Sequence, residues 1–214
     1  MAERLPRRFY CQPTLKIAEE ILGKVLVHRL NHKRLAGKIV EVEAYIGPDD
    51  KASHAYQGKI TNRNRAEYLI GGHVYIYLVY GIYWQFNIST AQAGKPECIL
   101  IRALEPLEGI TEMQRRRKTY DVKNLTNGPG KLCQALGFDR KCYGVDLVNS
   151  QKIWIEDPES NFQKNKEWSC LSKSQIVTDV RIGIDYAGSD ASKPWRFYIK
   201  DNPFVSIKKS LSLT

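Results

Sequence analysis

Residues 35–45 alternate in a way that predicts a strand, and on a strand successive side chains point to opposite faces. Val40, Val42 and Ala44 then share an apolar face, while Glu41, Glu43 and Tyr45 share the other. Gly47-Pro48-Asp49 turns the chain, and His54 lies one short loop further on. A carboxylate with a phenol and an imidazole nearby can hold a water and stack a planar ligand. The competing reading is a half-exposed strand whose polar face is solvated.

Two further stretches carry candidate chemistry. Residues 74–90 read as a strand, a tight turn near Tyr80 and Gly81, and a return strand. Tyr75, Tyr77 and Val79 fall on one face and Ile76, Leu78 and Tyr80 on the other; regular pairing puts Asn87 on a face with Tyr83, Gln85 and Ser89. A large apolar residue at a hairpin tip is badly placed for its own core and well placed to enter a base stack. The alternative is that both faces are simply buried. In the strand 98–104, Ile99, Ile101 and Ala103 face one way and Cys98, Leu100, Arg102 and Leu104 the other. A charge on an apolar face needs a partner, and Glu43 is the candidate for Arg102.

These residues need a scaffold of strands and few helices. Thr14 to Leu22 carries a helical stripe closed by Gly23, residues 24–30 alternate as a strand, and Asn31 to Lys33 make a turn. Residues 108–118 predict a helix whose last turn holds Arg115, Arg116, Arg117 and Lys118, there to complement the helix dipole or to touch phosphate. Gly128-Pro129-Gly130 leads into a helix over 131–136, and strands are expected at 152–156, 176–185 and 195–200. Hairpins dominate, which points to an α+β fold: one mixed domain, 1–214, with a mostly antiparallel sheet and helices packed around it.

The composition narrows the classes. Lys and Arg total 33 against 23 Asp and Glu, a net charge of +10 that suits a polyanionic partner or a merely soluble basic surface. The longest apolar stretch, 74–84, is 11 residues, far short of the ~20 of a spanning helix. No apolar segment of a secretory signal follows the first arginines. Five cysteines, an odd number without zinc-site spacing, fit a reduced intracellular compartment with no disulfide framework. His28 and His32 flank a strand-to-turn segment and are expected to be ordinary surface histidines. Residues 128–132 lack the spacing of a phosphate loop, although a helix start there could offer N–H groups to a DNA phosphate.

Together the segments EVEAYIGPDDKASH (41–54), TNRNR (61–65), VYIYLVYGIYWQFNIS (74–89) and CILIRALEPLEG (98–109) resemble the alkyladenine (3-methyladenine) DNA glycosylase family, of the mammalian alkyladenine type with bacterial relatives. GPGKLCQALG (128–137), RIGIDYAG (181–188) and KPWRFYIKDNPFVS (193–206) continue in the family's order, so the resemblance covers about 13–206. It implies a curved, mostly antiparallel sheet with surrounding helices and a protruding β-hairpin. It implies a monofunctional enzyme without metal or other cofactor, acting on double-stranded DNA that contains a damaged purine, with no membrane and as a monomer. Carried over by position, Glu43 is the general base and Arg102 helps hold the attacking water, as does the carbonyl of Ile184. Tyr45 stacks on one face of the flipped base and His54 and Tyr77 on the other. Asn87 lines the pocket floor and rejects undamaged guanine. Tyr80 is the wedge, with Ile82, Lys59 and Thr61 as further DNA contacts. Ile82 stands where the mammalian pattern has Met, and Lys59 where it has Arg, which keeps the charge and loses the bidentate fork. A bacterial cytoplasmic location is expected, the nucleus if the source is eukaryotic. No lyase activity is expected, because nothing marks a Schiff-base lysine. The alternative function is a damaged-DNA-binding protein without catalysis, and a third is a general nucleic-acid binder.

Overall fold

The computed structural model describes residues 3–158 and 168–206; the two ends of the expected 1–214 domain lie outside them. In chain order the elements are β1 (Glu3–Arg4), α1 (Arg7–Tyr10), α2 (Thr14–Glu20), β2 (Val25–Leu30), β3 (Lys33–Ile46), β4 (Val74–Val79), β5 (Tyr83–Ser89), β6 (Glu97–Glu108), α3 (Ile110–Arg117), α4 (Pro129–Leu136), β7 (Ile153–Asp157), β8 (Ile176–Asp179) and β9 (Arg196–Ile199). The strands form one sheet in the order β1-β7-β2-β3-β6-β5-β4, with β9 pairing β3 and β8 off that path. Neighbours run antiparallel throughout. This is the α+β architecture that the hairpin-rich sequence predicts.

The long strand β3 organises the sheet. It pairs with β6 along one edge, and its other edge is shared by β2 near the start and β9 from Glu41 to Glu43. Glu41 and Glu43 are therefore flanked by backbone on both sides. The pairing of β3 with β6 slips around Glu41, between partners 104, 103 and 101. A bulge of this kind moves the following side chains to the opposite face. Ile39 and Leu104 accordingly join the main core with Val42, Ala44, Ile99 and Ile101, whereas Val40 is buried apart from it. The expected grouping of Val40 with Val42 and of Leu104 with Arg102 is thus corrected: strict alternation holds only within each side of the bulge.

The helices brace the hairpin. α4 has Pro129 at its first position and ends on Gly137 at φ 78, the arrangement that starts and stops a helix cleanly. Leu132, Cys133, Ala135 and Leu136 are buried, in the core that also holds Phe86 and Phe138. A Cβ on Gly130 would lie 3.0 Å from the Tyr83 ring, so a larger residue there would have to push that ring aside. Arg116 donates from Nε to the Gln134 carbonyl (3.1 Å), and Arg117 bonds the Gln134 side chain. These arginines sit in the last turn of α3, as expected, and also tie it to α4.

Other expectations need adjusting. The strand expected over 176–185 stops at Asp179, and a 3-10 turn, Asp185–Ser192, follows. His28 is buried rather than on the surface; its Nδ1 lies 2.8 Å from the Leu136 carbonyl and its ring stacks on Phe138. Both central residues of the β4–β5 turn have positive φ, Tyr80 at 52 and Gly81 at 72. Glycine adopts that conformation freely and tyrosine does not, yet the Tyr80 side chain is 89% exposed and touches no core.

Candidate active site

The polar face of β3 is not solvated. Glu41 and Glu43 are both fully buried, which is costly for a carboxylate unless donors replace the lost water. Glu43 has three. Its Oε1 accepts from the Ile182 backbone N–H (2.7 Å) and lies 3.2 Å from an Arg102 terminal nitrogen, and its Oε2 accepts from the Tyr45 hydroxyl (2.8 Å). A carboxylate offers about four lone-pair sites, so one remains on Oε2. The Arg102–Glu43 pairing expected from the strand faces is present.

Glu41 serves the same centre from behind. Its oxygens accept from Arg102 Nε (3.1 Å), an Arg196 terminal nitrogen (3.0 Å), and the N–H and hydroxyl of Ser206 (2.6 and 2.9 Å). Burial by itself would lower the Arg102 pKa, but Glu43 and Glu41 more than reverse this, and the guanidinium stays charged. Burial pushes the Tyr45 phenol well above its usual value, and the Glu43 charge adds to the rise, so this phenol donates rather than ionises. Behind the Tyr45 ring lies Arg181, its guanidinium carbon 4.8 Å from the ring centroid. Asp50 holds that guanidinium in a two-point contact of 2.5 and 2.9 Å. The ring is therefore braced on one side and open on the other.

The open side faces a cavity of about 520 Å³, whose lining includes Tyr45, His54, Tyr77, Asn87, Arg102 and Ile184. That volume suits a ligand the size of a nucleobase with its sugar. Glu43 lies just beneath the wall, behind Tyr45, Arg102 and Ile182. His54 meets the Tyr77 ring edge-on at 4.6 Å and places Nδ1 2.7 Å from the Tyr75 hydroxyl. Burial, reinforced by the Arg63 charge, lowers the His54 pKa to about 4, so the imidazole is neutral at pH 7. Asn87 is buried and both its amide hydrogens go to backbone carbonyls, of Tyr75 and Gln85, at 3.1 Å each; this fixes its orientation in the cavity lining. The Ile184 carbonyl accepts from Ala187 N–H (2.8 Å) and keeps a second lone pair.

Tyr80 lines the cavity mouth, and Ile82, one residue beyond the turn, is 66% exposed. Lys59 and Thr61 lie together on an exposed loop, held through Asn64, whose side chain donates to the Lys59 carbonyl and accepts from the Thr61 hydroxyl. Tyr45, His54, Tyr77, Tyr80, Asn87, Arg102 and Ile184 thus line the cavity, whereas Glu43 lies beneath its wall and Ile82, Lys59 and Thr61 lie outside the lining. Six participants went unforeseen: Glu41, Asp50, Arg181, the Ile182 amide, Glu67 on the cavity wall, and Tyr186, 72% exposed at the mouth. Glu41 had a signal, since it shares a strand face with Glu43; the others come from loops. A larger concavity of about 970 Å³ between the β2–β3 turn and α3 holds no comparable group of buried polar side chains.

Comparisons with known proteins identify the family. A Clostridium perfringens protein (strain SM101), provisionally named a 3-methyladenine DNA glycosylase, is 47% identical over 213 residues, 96% of this chain and all of the relative. A Bacillus cereus protein (strain B4264) of the same provisional name is 47% identical over 209 residues, 95% of this chain and 98% of its own. One from Natranaerobius thermophilus is 43% identical over 207 residues, 95% and 99% of the two chains. The family model described as methylpurine-DNA glycosylase matches residues 8–203, and the chain belongs to that family.

Proposed function

We propose that this chain removes alkylated or deaminated purines from duplex DNA by hydrolysing the N-glycosidic bond. The observation that carries the reading is Glu43: a buried carboxylate, held by three donors and with one lone pair spare, set behind a base-sized aromatic cavity. The damaged nucleotide leaves the helix and its base enters between Tyr45 on one side and His54 and Tyr77 on the other. Such π-faces favour an electron-poor or cationic ring, as N3- or N7-alkylation produces. Asn87, fixed on the floor, leaves no room for the exocyclic amine of guanine. A water held by Glu43, Arg102 and the Ile184 carbonyl attacks C1′. Glu43 takes its proton, and the glycosidic electron pair leaves with the base. The nearby carboxylate also stabilises the positive charge that develops on the sugar.

The Tyr80 wedge fills the gap in the duplex, and Lys59 and Thr61 contact the backbone. The excess of positive charge supplies affinity that is indifferent to the lesion and falls steeply with salt. The test is release of free base from duplex and single-stranded DNA carrying 3-methyladenine, 7-methylguanine, hypoxanthine or ethenoadenine, by the purified monomer. Release of at least one lesion supports the reading; lesion binding with no release supports a damage-binding protein instead.

The wedge makes a separate prediction. Tyr80 is almost wholly exposed, so Tyr80→Ala is expected to change unfolding free energy by less than ~0.5 kcal/mol. Release from duplex should fall about tenfold, a loss of about 1.4 kcal/mol in holding the base out. Release from single strands, where no gap needs filling, should be nearly unchanged. Equal loss on both substrates would remove Tyr80 from this role.

A further inference from the structure

The wall of the base-sized cavity holds a second buried carboxyl group that the proposed mechanism does not use. Glu67 is 1% exposed and sits on the short 3-10 turn Arg65–Tyr68, yet it lines the cavity beside Tyr75, Tyr77 and Cys98. Its Oε1 accepts from the Cys98 thiol at 3.6 Å, while its Oε2 is buried with no hydrogen-bond partner. Among the described residues no ion pair holds it, in contrast to Glu43 and Glu41. An ionised carboxylate in such a place would bear an uncompensated desolvation cost, whereas the neutral acid carries a hydrogen with nowhere in the protein to go.

The site has a defined position relative to the chemistry. Along β6, Leu100 pairs with Glu43 and Cys98 pairs with Tyr45. Cys98, which touches Glu67, is therefore two residues from the point opposite Glu43, about 7 Å. That is close to the span of a purine. A base whose glycosidic bond lies at Glu43 and Arg102 presents its far edge to Glu67.

Resting on the function proposed above, we infer that Glu67 is a neutral carboxylic acid whose hydroxyl donates a hydrogen bond to an acceptor atom on the far edge of the flipped purine. A neutral lesion gains negative charge as its bond to the sugar breaks, and a donor at that edge draws the charge away. A cationic lesion leaves as a neutral base and gains little. Glu67 thus selects for neutral lesions, and Glu43 and Arg102 act on both classes.

The surroundings agree. The groups facing Glu67 are Cys98 from β6, Tyr75 and Tyr77 from β4, Tyr68 of its own turn, Tyr143, whose hydroxyl accepts from the Ala66 N–H, and Arg63, Asn64 and His54 from the preceding loop. Burial pushes the carboxyl up to about 8, against the weaker downward pull of the Cys98 thiol, the Asn64 side chain and the Arg63 charge. Burial also raises Tyr75 and Cys98 well above their usual values and leaves His54 neutral, so among the described residues it is the Arg63 charge that acts on Glu67 directly.

The experiment compares single-turnover base release by the wild type, Glu67→Met and Glu67→Gln, on a neutral lesion (hypoxanthine) and a cationic one (7-methylguanine), between pH 6 and 9. Glu67→Met, which has the shape without the donor, should lose tenfold or more on hypoxanthine and less than threefold on 7-methylguanine. Glu67→Gln, which keeps a donor, should stay within threefold of wild type on both lesions at pH 7. Wild-type release of hypoxanthine should fall as the pH rises through about 8, and the Gln variant should lack that fall. A folding readout accompanies it. The folded chain keeps a proton that the unfolded chain releases at the usual carboxyl value, so this group's contribution to stability shrinks as pH rises toward 8, and Glu67→Gln removes the trend. Equal losses on the two lesions, no loss in the Met variant, or an unchanged alkaline fall in the Gln variant would each overturn the inference. A wild type that releases neither base overturns it together with the function beneath it.

Discussion

Glu43→Gln is expected to lower base release about 10²–10⁴-fold, the range of a lost general base, while leaving fold and lesion binding in place. The substitution suits the site unusually well. The amide oxygen can take the place of Oε1 and accept from Ile182 N–H and Arg102, and the amide nitrogen can point at the Tyr45 hydroxyl. A hydroxyl is both donor and acceptor, so Tyr45 rotates its hydrogen and accepts. Arg102 keeps Glu41 as its anion. What disappears is the negative charge and the group that can take the water's proton. Single-turnover rates and lesion-binding titrations on the same preparation separate the two effects. A fall in binding equal to the fall in rate would make Glu43 a structural residue.

Glu41→Ala is expected to be the most damaging single change to stability, by about 3–5 kcal/mol, as for other broken buried ion pairs. Glu41 is fully buried and faces two guanidinium groups, Arg102 and Arg196, plus both donors of Ser206. Removing it leaves two buried positive charges sharing Glu43 and Asp179. The arginines then repel one another across a dry gap. Denaturant unfolding gives the loss directly. Because Arg102 also touches Glu43, release by the surviving folded fraction should fall too. A stability loss under ~1 kcal/mol would mean that water enters and solvates the arginines.

The strand carrying Glu43 and Tyr45 was legible in the sequence because its alternation is strong, and the hairpin tip because Gly81 breaks an aromatic run. Arg102 could be paired with Glu43 for the same reason: both lie on strands, where period two decides the face. The bulge at Glu41 was not legible, since it depends on how β3 and β6 meet, and it moved Val40 and Leu104 to unexpected faces. Nor was the segment from 180 to 184, expected as strand. It turns away instead, which is how the Ile182 N–H reaches Glu43 and Arg181 reaches the back of Tyr45. Arg181 pairs with Asp50, 131 positions earlier in the chain. No local pattern announces a contact of that separation. His28 illustrates the reverse error, where a histidine next to a turn is drawn into the core by Phe138 and the end of α4.

The central claim is hydrolysis of the glycosidic bond by a water that Glu43 activates. One reaction tests it most directly: excess purified protein with a duplex carrying a single 7-methylguanine, followed for free base by chromatography and for strand integrity before and after mild alkali. Free 7-methylguanine is expected in amounts equal to the abasic sites, with the strand intact until alkali cleaves it. Tight binding with no free base, or a strand already nicked before alkali, would contradict it.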